Sequence, residues 1–309
     1  MRSLHQNASW LSAFLLLVFA AGCRDGASAP ESPTVPAVGI TAARTVSSRE
    51  FYPLAVGNEW TYQRTFRIEV EILDGAGDPV AKTFEGTGER RIIGREEISG
   101  REYFVEQSTL AVNGRPNVTM TRTRFRQDHA GLYVADVAGD ARSGSMPLDL
   151  RPGALMSPVA KRAWQEHARK LGTFRRLLEP GLPDGEALSG RPGGILPGEI
   201  LFLSFPLHPK SAWFNRVEPF VVHSEVEARE VLDLPAGRFT CWRVRIDNEF
   251  LDPTDRVVVW YGRCGRLSSL LHAETLALDP ETGEIARVTS DETERLTGLA
   301  LLEPEGCDR

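Results

Sequence analysis

The residues of this 309-residue chain best equipped for chemistry are four cysteines, six histidines and a set of arginines. The cysteines are Cys23, Cys241, Cys264 and Cys307. There is no CxxC pair and no Cys/His set with metal-ligand spacing, so neither a metal nor a cofactor is expected. Cys241 and Cys264 are symmetric about the turn residues Asp252-Pro253. A simple hairpin there would set them opposite, with Cα atoms roughly 4.5–5.5 Å apart, within reach of a disulfide. The spacing therefore predicts Cys241–Cys264, with pairing of either to Cys307, or free thiols, as the alternatives. The histidines are scattered. His129 falls in a turn, and His208, His223 and His272 have no carboxylate or cysteine pattern beside them. His167 falls on the apolar face of a helix, where it reads as core. HExxH, GxSxG and the P-loop are missing. Gly86-Thr87-Gly88 lacks a third glycine and lies in a strand pattern, so it is no dinucleotide fingerprint. Arg122, Arg124 and Arg126 alternate along one strand face, suited either to an anionic head group or to solvent. No acid, base and nucleophile come together, so the chain is expected to be non-enzymatic. A hydrolase assembled from distant residues is the alternative.

Cys23 has a context of its own. Arg2 supplies a basic start, Trp10 to Phe19 is an apolar run, and Ala20-Ala21-Gly22 leads into the cysteine. The run is too short for a ~20-residue membrane span and ends in small residues, as a secretion signal does. The segment resembles the bacterial lipoprotein signal, although Ala20 stands where leucine is common. That resemblance implies cleavage after residue 22 and acylation of Cys23. In such proteins aspartate directly after the cysteine favours the inner membrane. Here Arg24 holds that place and Asp25 follows, which favours the outer membrane, with the globular part in the periplasm. Several acyl chains, at roughly 0.8 kcal/mol per buried CH₂, make a lasting anchor.

The rest of the chain must position whatever site exists. Residues 23–49 are rich in Ala, Ser, Pro and Thr, with Pro30, Pro33 and Pro36 spaced along them. They read as a flexible tether reaching ~80 Å at about 3.1 Å per residue. Residues 50–300 are β-rich. Trp60, Tyr62, Phe66, Ile68, Val70 and Ile72 alternate with polar residues, the strongest strand signal in the chain. Strands follow at Val80–Ile93, Glu102–Val112, Val118–Arg126 and Leu132–Ala135, with Asn113-Gly114 as a tight hairpin turn. Ser157-Pro158 starts a helix that runs to Leu178. Trp164, His167, Ala168, Leu171, Phe174 and Leu178 share one face of it, and Arg162, Arg169 and Arg176 the other. A Pro/Gly-rich connection leads to strands at Ile200–Phe205, Pro219–Leu232, Arg238–Phe250, Arg256–Tyr261, Arg266–Leu278 and Ile285–Leu296.

The predicted fold is mostly β: an antiparallel curved sheet or open barrel with one inserted amphipathic helix near 158–178. Two echoes suggest related halves, about 50–137 and 200–298. Pro53-Leu54 precedes Trp60 as Pro206-Leu207 precedes Trp213, and Gly100-Arg101 precedes Tyr103 as Gly237-Arg238 precedes Phe239. A net charge of −6 argues against non-specific nucleic-acid binding.

FYPLAVGNEWTY (Phe51–Tyr62), LPAGRFTCWRVRI (Leu234–Ile246) and WYGRCGRL (Trp260–Leu267) resemble a group of bacterial secreted proteins and lipoproteins with the pattern PLxxGxxWxY, PAGxF, WYxxGxG. That likeness implies a strongly curved sheet similar to the half-barrels of lipoprotein-localisation factors, and it carries no catalytic residues. The expectation is a lipid-anchored envelope protein whose concave face binds a lipid-like ligand or an envelope protein. Arg122, Arg124, Trp164 and Phe174 are the candidate ligand face, and a purely structural interaction module is a further alternative. The Cys23→Ser variant is expected to lose palmitate labelling and leave the membrane fraction. Unchanged labelling would refute the anchor.

Overall fold

The computed structural model describes residues 52–73, 78–112, 115–135, 157–178, 199–217, 220–249, 251–302 and 307. The signal segment, Cys23, the tether, the Asn113-Gly114 turn and the Pro/Gly-rich connection lie outside these. The elements are β1 (Glu59–Ile72), β2 (Val80–Ile98), β3 (Arg101–Val112), β4 (Arg115–Gln127), β5 (Gly131–Ala135), α1 (Pro158–Leu178), β6 (Glu199–Ser204), β7 (Ala212–Val217), β8 (Phe220–Leu234), β9 (Gly237–Asn248), β10 (Arg256–Gly262), β11 (Gly265–Leu278) and β12 (Ile285–Ala300).

All twelve strands belong to one antiparallel sheet in the order β6-β5-β4-β3-β2-β1-β12-β11-β10-β9-β8-β7. Two six-strand meanders thus join where β1 pairs with β12, and the edges β6 and β7 approach one another. The sheet is a nearly closed barrel, as the mostly-β expectation held. One strand escaped the sequence reading. In β7, Trp213 is buried while its neighbour Phe214 is 70% exposed, so aromatics on both faces hide the period-2 alternation.

The inner face follows from the registers. Phe66 of β1 faces Phe84 of β2 and Glu292 of β12, and Ile68 faces Ser290. Side chains two apart share a face, so the interior row of β12 is Ala286, Val288, Ser290, Glu292, Glu294 and Leu296. On β4 the interior row is Thr121, Thr123 and Phe125. Arg122, Arg124 and Arg126 therefore lie on the outer face.

Helix α1 fills the interior. It begins as predicted: the Ser157 hydroxyl accepts from the Ala160 amide at 3.4 Å, with Pro158 in the first turn. Val159, Ala160, Ala163, His167, Leu171, Phe174 and Leu178 are buried, at spacings of one, three and four that form one helical stripe. The stripe packs on β1, β10, β11 and β12, across the barrel from the strands that flank the helix in sequence. Arg162 and Arg169 are exposed on the other side.

A second apolar cluster closes the opposite end of the barrel: Trp60, Tyr62, Ile92, Phe239, Leu267 and Leu296 with Cys241 and Cys264. Here the predicted disulfide is corrected. Cys264 bonds to Cys307, with Cα atoms 5.3 Å apart, and Cys241 is a buried free thiol. The reason is register. Cys241 faces Gly262, so Cys264 lies beyond the ladder, in the tight turn between Gly262 and Gly265. Gly265 is at φ +97°, a conformation that L side chains rarely adopt, and a Cβ added there would lie 3.5 Å from Trp60 Nε1 and 3.6 Å from Tyr52 Cε2.

Burial pushes the Cys241 thiol up to about 12, so it carries almost no thiolate at neutral pH. Non-reducing peptide mapping is expected to find Cys264 linked to Cys307, with Cys241 alkylated only after denaturation. A Cys241–Cys264 peptide would refute the pairing of Cys241 with Gly262.

Candidate functional site

Between the two apolar clusters the barrel interior carries a belt of charge. It begins at Tyr52, whose hydroxyl donates to Glu106 Oε2 at 2.7 Å. Arg90 Nη1 lies 3.2 Å from Glu106 Oε1, and its Nη2 lies 3.5 Å from Glu294 Oε1. Glu294 also meets Arg64 Nε at 3.0 Å and Arg266 Nη2 at 3.1 Å. Arg64 continues to Glu292 at 2.9 Å, and Glu292 takes Arg175 of α1 at 3.0 Å. Glu106, Glu294 and Arg266 each have only 2% of the side chain exposed. Charges so deep are costly alone and persist because each meets an opposite charge.

Local structure puts these groups inside. Arg64 stands on β1 opposite Gly86 of β2, and a Cβ at Gly88 would lie 3.4 Å from Arg64 Cδ. The small residues of β2 leave room for Arg64 and Tyr62. Arg266 reaches the interior through a β-bulge. Tyr261 pairs with Arg266 while Trp260 pairs with Ser268, and the extra residue, Leu267, shifts the alternation of β11.

The belt encloses a cavity of about 10 Å³, lined by Tyr52, Arg90, Glu106, Ser108, Thr121, Thr123, Phe125, Leu178, Phe202, Tyr261 and Arg266. A water molecule needs roughly 10–15 Å³, so the space is water-sized. Arg266 Nη1 donates to the Leu178 carbonyl at 3.2 Å, at the end of α1. The helix C-terminus carries about half a negative charge, which suits a guanidinium. Burial raises the phenols of Tyr52 and Tyr62, and takes Tyr261 to about 12, so all three stay protonated donors.

Polar ties also hold α1 along its length. Lys170 Nζ lies 2.6 Å from Asp255 Oδ2, 2.5 Å from Asp252 Oδ2 and 2.6 Å from the Glu274 carbonyl. His167 sits between two hydroxyls, with Nδ1 3.0 Å from Thr275 Oγ1 and Nε2 2.9 Å from Ser290 Oγ. It is core, as its position on the apolar stripe indicated. Burial, with the nearby positive charges of Lys170, His272 and Arg175, lowers its pKa to about 4.

The candidate ligand face read from sequence does not exist as one surface. Arg122 and Arg124 are on the outer face, and Arg124 Nε is tied to Glu96 at 2.6 Å. Arg126 is held by Glu199 and Asp128. Phe174 is fully buried on the packed side of α1 and Trp164 is half-buried beside it. The alternation of β4 separates the arginines from the helix by the thickness of the sheet. Glu106, Arg64, Arg90, Arg266, Glu292 and Glu294 were missed. The readable signal was parity: Arg64 occupies an even position in the apolar row from Trp60 to Ile72.

Among the described residues no group of His, Cys, Asp and Glu is placed to hold a metal, and no helix is long and apolar enough to cross a membrane. Fold and site together define a twelve-stranded antiparallel near-barrel with a helix in its interior and a charged belt at the helix end. No protein-family model matches the chain, and no curated protein matches its sequence. Among solved structures it is similar to an exported protein with a YmcC-like fold from Bacteroides fragilis, at 13% identity and a TM-score of 0.35, covering 81% of this chain and 98% of that one. A lipoprotein from Parabacteroides distasonis follows, at 9% identity and a TM-score of 0.31, covering 81% and 99%. A LolA superfamily protein from Nitrosomonas europaea has 8% identity and a TM-score of 0.16, covering 81% and 90%. At these identities and scores no residue takes a role from them.

The depressed His167 pKa fixes a pH dependence. Its unfolded value is about 6.5, so between there and about 4 the unfolded chain binds more protons. The stability from keeping His167 neutral is fully present above pH 6.5 and is lost as pH falls towards 4, by about 3 kcal/mol in all. Thermal melts at pH 7.5 and pH 5 are expected to separate more for the native protein than for His167→Gln, and equal separations would refute this.

Proposed function

We propose that this chain is a lipid-anchored, non-enzymatic protein of the bacterial envelope that binds a hydrophobic, lipid-like ligand in the interior of its near-barrel. The observation that carries the reading is the occupancy of that interior. Its centre is filled by α1, an amphipathic helix, and not by side chains of the sheet alone. The attachment is mixed. Val159, Leu171, Phe174 and Leu178 contribute apolar contact, while His167, Lys170 and Arg175 contribute polar ties that water can replace. A helix held this way can be exchanged for a ligand of similar polarity pattern at modest cost.

The anchor remains the Cys23 proposal, with the tether of residues 23–49 holding the barrel off the lipid surface and the outer membrane favoured by Arg24. We also read residues 50–300 as two related halves. Both sequence echoes connect strands six apart in the order, β1 with β7 and β3 with β9, the offset that duplication of a six-strand meander would leave.

A structural interaction module is the second reading. It is favoured by the small interior space in this state and by Phe214, which is stacked on His223 near the sheet edge and left open to solvent.

Native mass spectrometry of the detergent-solubilised full chain separates the two. Co-purifying lipid is expected, together with uptake of the hydrophobic probe N-phenylnaphthylamine that rises in Phe174→Ala, where about 3–5 kcal/mol of helix packing is lost. A clean apo mass with no probe uptake in either form would leave only the structural reading.

A further inference from the structure

Arg266 differs from the other guanidiniums of the belt. Arg64 is shared between Glu292 and Glu294, and Arg90 between Glu106 and Glu294. Among the described residues Arg266 has Glu294 as its one carboxylate, and Glu294 also serves Arg64 and Arg90. Its remaining partners are neutral: the Ser269 hydroxyl at 2.8 Å and the Leu178 carbonyl. Its Nε is buried with no hydrogen-bond partner. A guanidinium has five donors and no way to lose its proton, so a buried unfilled donor on one is costly.

Arg266 shares the lining of the water-sized recess with hydroxyl residues: Ser108 of β3 and Thr121 and Thr123 of β4, with the Tyr52 and Tyr261 phenols. Hydroxyls can donate, and Arg90 adds a second cation, while Glu106 is already engaged by Tyr52 and Arg90. The recess thus gathers two arginines and several hydroxyl residues from different strands around one small space, and the single carboxylate in its lining is itself satisfied.

We propose that this recess is an oxyanion site: it takes one oxygen of a carboxylate or phosphate group in the place of a water, held by Arg266 and Arg90 among the hydroxyl residues Ser108, Thr121 and Thr123. Charge-assisted bonds of this kind are short and strong, and Arg suits the planar carboxylate and the phosphate alike. The site lies at the end of α1, so an alkyl chain that took the place of the helix in the interior would present its head group there. The proposal rests on the reading of the interior as a ligand site and names the chemistry that would orient the ligand.

Calorimetric titration of the detergent-solubilised full chain with inorganic phosphate, acetate, laurate and dodecanol tests it. At least one of the three anions is expected to bind, and laurate, where it binds, at least about tenfold more tightly than dodecanol. Binding of inorganic phosphate or acetate without laurate would identify a free anion as the source, leaving this site standing and removing the lipid reading. Binding of laurate alone would identify a lipid-borne carboxylate. Ser108→Asp builds a carboxylate into the recess, so it is expected to abolish anion binding and to melt no lower than the native protein; this variant serves even if Arg266→Gln does not fold. Equal binding of laurate and dodecanol, no binding of any anion, or undiminished anion binding by Ser108→Asp would overturn the proposal. The first of those outcomes would leave the lipid reading intact.

Discussion

A barrel of about eight strands is just narrow enough for its own side chains to fill, and width grows with strand number. Twelve strands enclose more space than their inner faces can occupy. That constraint governs the rest of this structure. Helix α1 supplies the missing volume. It lies between β5 and β6 in sequence yet packs against β1, β10, β11 and β12, in the middle of the sheet order. Without it, Phe66, Val257, Val259, Leu271 and Val288 would face a void, and unfilled apolar volume costs tens of calories per mole for every cubic ångström.

The helix also explains why charge can live inside. Its C-terminal end points at the belt, and its Arg175 and the Leu178 carbonyl become members of the network. A sheet alone offers little net dipole, whereas a helix end brings a partial negative charge that a buried guanidinium can use. On the far side the belt is backed by a second apolar cluster, where Trp60 donates to the Cys264 carbonyl at 2.7 Å and Tyr62 to the Arg266 carbonyl at 2.9 Å. These two aromatics of β1 hold the start of β11 in place. The bulge that turns Arg266 inward is therefore fixed from both sides. The Cys264–Cys307 bond ties the chain end to the same region.

Much of this fold was legible because alternation is a local property. The long strands, the helix from Ser157-Pro158 to Leu178 and the burial of His167 all follow from period and capping. The site was not legible, for three physical reasons. Buried charges such as Glu292 and Glu294 have the residue types of an outer face, so a reading that sorts apolar from polar assigns them outward. A bulge, as at Leu267, reverses parity at one residue and leaves no mark in composition. Register across a long turn is set by both strands together, which is why Cys241 meets Gly262 and not Cys264. The split of Arg122 and Arg124 from Trp164 and Phe174 has the same origin. Each pair was placed correctly on its own element, but nothing in either element says which side of the sheet the other will occupy.

The balance between apolar and polar contact on α1 bears on what the interior is for. A permanent plug gains most from an apolar stripe, because a buried ion pair is often no more stabilising than well-packed hydrophobic residues of the same volume. This stripe carries one polar residue, His167, and is flanked by Lys170 and Arg175, and each of the three has a partner in place: Ser290 and Thr275, Asp255 in the turn before β10, and Glu292. Those partners are hydroxyls and carboxylates that water satisfies, so removing the helix would cost less than the buried apolar area alone implies. His167 makes the balance dependent on pH, because protonation adds a third cation beside Lys170 and Arg175 and favours the hydrated state. The helix thus fills the barrel through an apolar stripe together with three polar contacts whose partner groups water can also satisfy.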